Sequence, residues 1–305
     1  MPHIFGPVPS RRLGLSLGID LIPHKTCTYD CIYCQVGRTT DRIMEPLSFV
    51  SISEVIEELK EVLSKNRPDV ITLAGSGEPT LNRDIGNVIS EIKKLTSIPL
   101  TLLTNGSLLW KRDIREMVKE VDILIPTLSS SYAETHNRIH RPHPDLNLDK
   151  IIGGLKEMRK GYPGKYFLEV VLLSGINDSD KEISGLSKVI NKISPDKVQL
   201  NTVVRPPSDH GAMSLSSKKL EEIKNYLGDN TEVIAASPLK ARTNVPDLKI
   251  EQIIEMAKRR PVTVDDISKS LSLHLDETER LVKELKIKGH VREQKHNENL
   301  FYTSG

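Results

Sequence analysis

Cys27, Cys31 and Cys34 are the only cysteines in the 305-residue chain, and all three fall within one eight-residue window. An odd, clustered set suits a disulfide framework poorly and a metal centre well. Thiolates at this spacing can wrap one loop around three irons of a [4Fe–4S] cubane, in which each iron commonly takes one cysteine. The fourth iron then stays open to a ligand that the protein does not supply. The alternative is structural zinc, which takes four ligands, usually as two Cys or Cys/His pairs on separate turns. His24 could complete that set, but it stands three residues before Cys27 and would crowd every donor onto one loop. No cysteine is left for a second cluster.

Other chemistry-bearing residues lie further along. Gly75-Ser76-Gly77-Glu78-Pro79 couples glycines, which let the backbone approach a ligand closely, to a carboxylate that can receive an ammonium group. Glu169 sits alone among Leu168, Val170, Val171 and Leu172. A charge inside an apolar strand needs a partner, and either an internal arginine or a bound cofactor would serve. Thr135–His143 is a polar loop carrying His136, Arg138, His140 and Arg141. Its arginines are candidates for carboxylate or phosphate oxygens rather than its histidines for a second metal. Arg205 and His210 are similar candidates, so an anionic substrate is favoured.

The elements that must position these residues alternate along the chain. Short β-branched runs at Leu15–Ile22, Asp69–Leu73, Pro99–Leu103, Asp122–Thr127, Tyr166–Leu173 and Lys197–Val203 are nearly continuous apolar stretches, as in a parallel sheet covered on both faces. Between them, apolar residues three or four apart mark helices near Ser53–Ser64, Asp84–Leu95, Lys111–Glu120, Leu148–Arg159, Asp180–Lys192 and Ser216–Tyr226. Such alternation predicts an α/β fold, a partial parallel (β/α)6 barrel over residues 1–240. Functional residues then belong at the C-terminal ends of the strands.

With the aromatic Tyr33 before its last cysteine, the Cys-x3-Cys-x2-Cys loop after the first strand resembles the radical S-adenosylmethionine superfamily. That resemblance covers roughly Leu15–Val204. It implies a cofactor, S-adenosylmethionine, chelating the open iron of the cluster. It further implies one-electron cleavage to methionine and a 5′-deoxyadenosyl radical that takes hydrogen from a substrate. A reductant such as ferredoxin or flavodoxin is implied as partner. Gly75–Pro79 is similar to the superfamily's Gly-Gly-Glu-Pro motif, which holds the methionine amino group; Ser76 replaces one glycine. Thr104-Asn105-Gly106 matches a polar strand end near the ribose. By the same likeness, Thr127 and Ser129 are ribose or carboxylate contacts, Glu169 is a ribose or cofactor contact, and Asn201 lies on the adenine or substrate side. A narrower likeness rests on Pro7-Val-Pro-Ser-Arg11-Arg12-Leu-Gly and the Ser-Leu-Gly-Ile-Asp20 that follows. It points to a group often filed beside the tRNA wyosine synthases, without implying the wyosine reaction.

The pattern breaks around Pro238–Pro246. Residues 247–305 carry helices Ile250–Arg259, Val264–Leu271 and Asp276–Lys288, then two alternating strands, His290–Gln294 and Leu300–Thr303. This order resembles a small winged helix-turn-helix domain. It holds eleven Lys/Arg against eleven Asp/Glu, and its last helix opens with Asp276, Glu277 and Glu279. Repulsion from phosphates there argues against DNA; docking of a protein substrate, dimerisation or closure over the barrel mouth fits better, and an RNA substrate stays open if Lys283, Lys286, Lys288, Arg292 and Lys295 form one edge. The chain has a formal net charge of +2 and no long apolar run, so neither a membrane span nor a chain-wide nucleic-acid surface is expected. No basic-then-apolar leader opens the sequence, which leaves the cytoplasm as the expected location. A regulatory protein using the cluster as a redox sensor is the competing reading. Glu78 and the polar strand ends favour the enzyme, since a sensor needs no cofactor cradle.

Overall fold

A computed structural model describes residues 3–235, 249–271 and 273–305. Its centre is an eight-stranded sheet of β1 (Ile4–Ser10), β2 (Gly14–Ile19), β5 (Val70–Leu73), β6 (Leu100–Thr104), β7 (Ile123–Pro126), β8 (Lys165–Leu172), β9 (Lys197–Thr202) and β10 (Thr231–Val233), in that spatial order. A small parallel pair, β3 (Thr26–Cys27) with β4 (Asp41–Arg42), brackets the cysteine loop. β1 runs antiparallel to β2, and every later neighbour is parallel. Strands laid down in chain order through parallel crossovers wind their helices onto one face and leave the other face free for a cavity.

The helices are α1 (Ile52–Lys65), α2 (Ile85–Leu95), α3 (Arg112–Val118), α4 (Ala133–His140), α5 (Leu148–Gly161), α6 (Asp180–Ile193) and α7 (Ser217–Leu227). Several start where a short polar side chain takes a free backbone N–H: Ser51 from Glu54, Asn147 from Lys150, Ser179 from Glu182 and Ser216 from Lys219. Each buries one apolar stripe against the sheet, such as Val55 and Leu59 or Val88 and Ile92, and β5 is buried at all four positions. At about 1.5–3 kcal/mol per buried large apolar side chain, these layers hold the frame that the site hangs on.

All six predicted strands and their helices are present within three residues at each end. Beyond the short β3–β4 pair, two strands of the central sheet were not foreseen. β1 alternates weakly, and its place depends on Phe5 lying over Gly18, where any side chain would meet the ring at 2.0 Å. β10, at three residues, is too short for a pattern. The expected loop at Thr135–His143 is instead mostly α4, ending at Arg141 with φ 43°.

The described C-terminal residues form α8 (Lys249–Arg259), α9 (Val264–Leu271) and α10 (Leu275–Ile287), followed by the antiparallel hairpin β11 (Val291–His296) and β12 (Asn299–Ser304). Gly289, at φ +74°, follows α10. Ile253, Val262, Ile267, Val282, Leu285 and Tyr302 make a second apolar cluster, against which Val8 of β1 packs. Arg205 pairs with Asp266 at 3.5 Å and donates from Nε to the Pro261 carbonyl at 3.1 Å. Arg259 pairs with Asp20 at 3.1 Å. The C-terminal elements are thus fastened to the strand ends. The break at Pro238–Pro246 and the proposed boundary there lie outside the described residues. Among those described, no helix is long and apolar enough to cross a membrane.

Candidate active site

After β2 the chain turns through Lys25, at φ 67°, into the cysteine loop. Asp30 accepts the Thr39 N–H at 2.8 Å and pairs with Arg38 at 2.8 Å, while Thr39 Oγ1 donates to the Tyr29 carbonyl at 2.7 Å. The loop is therefore closed on itself before any ligand arrives. The three thiols are free and half-buried. Each sulfur has a nitrogen beside it: Asn105 Nδ2 at 3.5 Å from Cys27, His140 Nδ1 at 3.2 Å from Cys31, and Lys25 Nζ at 3.9 Å from Cys34. Burial, with the charge of Glu78 behind it, pushes the Cys27 thiol up to about 12. Burial and then the two neighbouring thiols raise Cys31 well above its ordinary value. Three thiolates thus need a cationic centre to coexist here, which an iron–sulfur cluster supplies, and nitrogens placed to donate to sulfur suit it. Among the described residues, His, Cys, Asp and Glu form no group of three or more at the close spacing of a single ion.

A cavity of about 420 Å³ is bounded by Cys27, Cys31, Cys34, Gly75, Gly77 and Glu78. The two glycines are there because nothing larger fits. A Cβ on Gly75, at φ +155°, would lie 2.2 Å from the Asp20 carboxyl carbon, and one on Gly77 would lie 1.8 Å from the Thr26 carbonyl oxygen. Glu78 is buried and accepts four hydrogen bonds. Its Oε1 takes Thr80 N, Thr80 Oγ1 and Thr104 Oγ1 at 3.1, 2.6 and 2.6 Å, and its Oε2 takes Asn105 N at 2.7 Å. Burial raises its pKa in spite of these donors. A fixed, desolvated carboxylate facing a cavity is a strong receptor for an ammonium group. Ser76 has a different placement: its backbone N–H and hydroxyl both bind Asp20 Oδ2, at 3.1 and 2.6 Å, and it does not line the cavity.

Tyr33, Thr104, Asn105, Thr127, Glu169 and Asn201 share the same cavity wall. Glu169 has found its arginine: Arg12 Nη1 donates to Oε1 at 2.7 Å, Thr127 Oγ1 to Oε2 at 3.0 Å and Asn201 Nδ2 to Oε1 at 3.2 Å. Burial alone would raise this carboxyl, but the Arg12 charge and the three donors hold it below the ordinary glutamate value. Thr127 and Asn201 are thereby committed to Glu169. Ser129 is not in the cavity wall; its Oγ accepts the Val171 N–H at 3.2 Å and its carbonyl accepts Asn177 Nδ2 at 2.7 Å, knitting β7 to β8.

The polar patch after β7 is a correction. His136 and His140 are buried, and desolvation lowers His136 to about 4 and His140 well below its ordinary value, so both rings are neutral. Arg141 pairs with Asp209 at 2.6 Å, Arg138 is exposed on α4, and neither lines the cavity, nor does His210. Of these candidates only Arg205 reaches it. The cavity also holds Arg11, Arg12, Arg259 and Arg260. Arg12 was announced by the lone carboxylate of Glu169. Nothing local distinguishes Arg259 and Arg260 from any basic helix end.

Three cysteines, two close-packed glycines and a buried carboxylate thus gather at the ends of the parallel strands. Residues 21–185 match the Radical SAM superfamily, and the chain belongs to that superfamily, whose cofactors are a [4Fe–4S] cluster and S-adenosylmethionine. It is 42% identical over 304 residues to a Brachyspira hyodysenteriae protein named GTPase Obg, covering 98% of this chain and 45% of that protein. The chain thus spans less than half the length of that relative. It is 32% identical to UPF0026 protein MJ1312 of Methanocaldococcus jannaschii, covering 89% of this chain and 91% of that protein. Among solved structures, TYW1 with a lysine–pyruvate adduct bound superposes with a TM-score of 0.55 at 16% identity, over 74% of this chain and 76% of that one. At that identity the likeness is one of fold.

Proposed function

We propose that Cys27, Cys31 and Cys34 hold the cluster, that Glu78 receives the cofactor's methionine amino group, and that the enzyme abstracts hydrogen from a substrate admitted to the same cavity. When bound, the cluster and cofactor supply reductive cleavage of the sulfonium and hydrogen abstraction from substrate carbon. The chain's own residues do the positioning. Gly75 and Gly77 let the backbone approach the methionine end, and the Thr104 and Asn105 donors hold the Glu78 carboxylate in place. Thr127, Glu169 and Asn201 form a polar wall suited to the ribose and adenine side, with Tyr33 beside the cysteines. The superfamily's need for an electron donor makes ferredoxin or flavodoxin the expected reductant.

Residues 249–305 are read as a winged helix-turn-helix unit, supported by three helices followed by a hairpin. Its fastening to the strand ends through Arg205–Asp266 and Arg259–Asp20 favours closure over the barrel mouth. Asp276 and Glu277 in the first turn of α10 weigh against a phosphate backbone there. The group beside the wyosine synthases remains the nearest assignment within the superfamily.

The observation that carries this reading is the convergence of three cysteines, two sterically required glycines and one desolvated glutamate on a single cavity. Anaerobic reconstitution with iron and sulfide, then dithionite and S-adenosylmethionine, is expected to yield 5′-deoxyadenosine in the wild type and none in Cys31→Ala. Protein with a full cluster that gives no 5′-deoxyadenosine would overturn it in favour of a redox sensor.

A further inference from the structure

Five arginines from three separate parts of the chain meet in the cavity: Arg11 and Arg12 from the turn after β1, Arg205 beyond β9, and Arg259 and Arg260 at the end of α8. Three have a carboxylate: Arg12 with Glu169 at 2.7 Å, Arg205 with Asp266 at 3.5 Å and Arg259 with Asp20 at 3.1 Å. Arg11 and Arg260 form no ion pair among the described residues, although the Asp266 carboxylate they share with Arg205 acts on both and Glu169 acts on Arg11. Among the described residues Arg11 donates to the Ala235 carbonyl alone, at 3.4 Å. Arg260 Nη2 is shut off from solvent without a hydrogen-bond partner. Both feel the Arg205 charge, and Arg260 also feels Arg11, with Asp266 acting in the opposite sense on each. Burial first and then the Arg205 charge lower Arg11 to about 10 and Arg260 to about 9, which leaves both cationic at neutral pH. Buried cations without a close counter-charge are costly.

We propose that Arg11 and Arg260, with Arg205 beside them, bind a phosphoryl group carried by the substrate. This deepens the radical-enzyme reading and rests on it for the word substrate. Two guanidinium groups with no ion pair of their own among the described residues, sharing one Asp266 carboxylate with Arg205, call for added negative charge. A phosphate monoester or diphosphate provides it at neutral pH, with oxygens spaced for the planar guanidinium fork. The methionine carboxylate of the cofactor carries only a single charge. Because Arg260 directly follows α8 and Arg11 lies in the β1–β2 turn, the site exists only when the C-terminal elements are docked. Recognition of the anion is thereby coupled to closure of the cavity.

The test uses the anaerobically reconstituted holoprotein saturated with S-adenosylmethionine, titrated calorimetrically with inorganic phosphate, pyrophosphate and a short unstructured RNA. Phosphate or pyrophosphate is expected to bind. Arg11→Gln and Arg260→Gln, on different elements, should each weaken that binding at least tenfold, Arg260→Lys should recover part of it, and Lys156→Gln on α5 should leave it unchanged. Cluster absorbance and thermal midpoint identify any variant that fails to fold, and the arginine on the other element then decides. Three results would overturn the proposal: no binding of either probe, binding seen only before S-adenosylmethionine is added, or binding of the RNA alone. The first of these leaves the radical reading intact if 5′-deoxyadenosine still forms. Loss of 5′-deoxyadenosine with phosphate binding retained would sink that reading instead.

Discussion

Substituting Gly77 by alanine tests the cradle at its tightest point. The added methyl would lie 1.8 Å from the Thr26 carbonyl oxygen and 2.6 Å from Ile22 Cγ2, where Cβ contacts under 3.0 Å are essentially not seen. Thr26 O also accepts the Glu78 N–H at 3.2 Å, and Lys25 N donates to Ser76 O at 2.9 Å, so the two segments are zipped together at this point. Relief requires them to separate by about 1 Å, and a misplacement of that size can cost about 100-fold in rate. The separation moves Cys27, next to Thr26, away from Glu78, next to Gly77, which are the two anchors proposed for one cofactor. Overpacking of this kind destabilises by about 1–3 kcal/mol, leaving a folded protein. Iron content, S-adenosylmethionine affinity by calorimetry and the rate of 5′-deoxyadenosine formation should therefore separate: cluster largely retained, formation down about 100-fold. Gly153→Ala is the matched control, since a methyl there, within α5, meets nothing inside 4 Å. It should raise stability by up to about 1 kcal/mol and leave turnover alone. Turnover by Gly77→Ala within a few-fold of wild type would refute the account of the cradle.

Glu78→Gln should weaken S-adenosylmethionine binding roughly ten- to hundredfold by calorimetry, the range of a hydrogen bond to a charged group. Affinity should also fall as pH drops through the Glu78 titration, and at higher pH than for an exposed glutamate, because burial raises that carboxyl and the ammonium group needs it ionised. Without cofactor the sign reverses: a raised folded-state pKa means stability is fully present below the unfolded value and is lost as pH rises. Arg12→Met strands the buried Glu169 and should cost roughly 3–5 kcal/mol in urea unfolding, much of it recovered in the double variant with Glu169→Leu. The Glu169 carboxyl is held low, so its contribution is present above the unfolded pKa and should vanish as pH falls through the folded one. His140→Phe removes a ring nitrogen 3.2 Å from Cys31 Sγ and should make the cluster harder to reduce, by about 40 mV for a bond worth about 1 kcal/mol, as read by potentiometric titration.

Much of the frame was legible because its signals are local. Cys27, Cys31 and Cys34 are close in sequence, so their spacing alone restricts which metal they can share. β5 and α2 carry their periods within a dozen residues. Glu169 announced a partner without naming it, since the cost of burying a charge depends on that strand while the remedy comes from anywhere; Arg12 stands 157 positions away. Ser76 and Ser129 looked like ligand contacts by position in a motif, but a hydroxyl takes the nearest unsatisfied group, which for these two was Asp20 and the Val171 N–H. His136 and His140 looked like an exposed polar loop because the apolar stripe of α4 is narrow and built partly of rings. Burial against Tyr29 made them neutral core residues.

By itself the sequence determined the parallel α/β order, the cysteine loop and the glycine turn, since each is written in residues near one another. Only the tertiary structure decided which charges share a cavity. Arg11 precedes nearly the whole sheet in sequence and Arg205 and Arg260 follow most or all of it, yet strand winding and the docking of α8 bring the three together. Coulomb energy depends on distance in space and on exclusion of water, and neither is recorded in the order of residues along the chain.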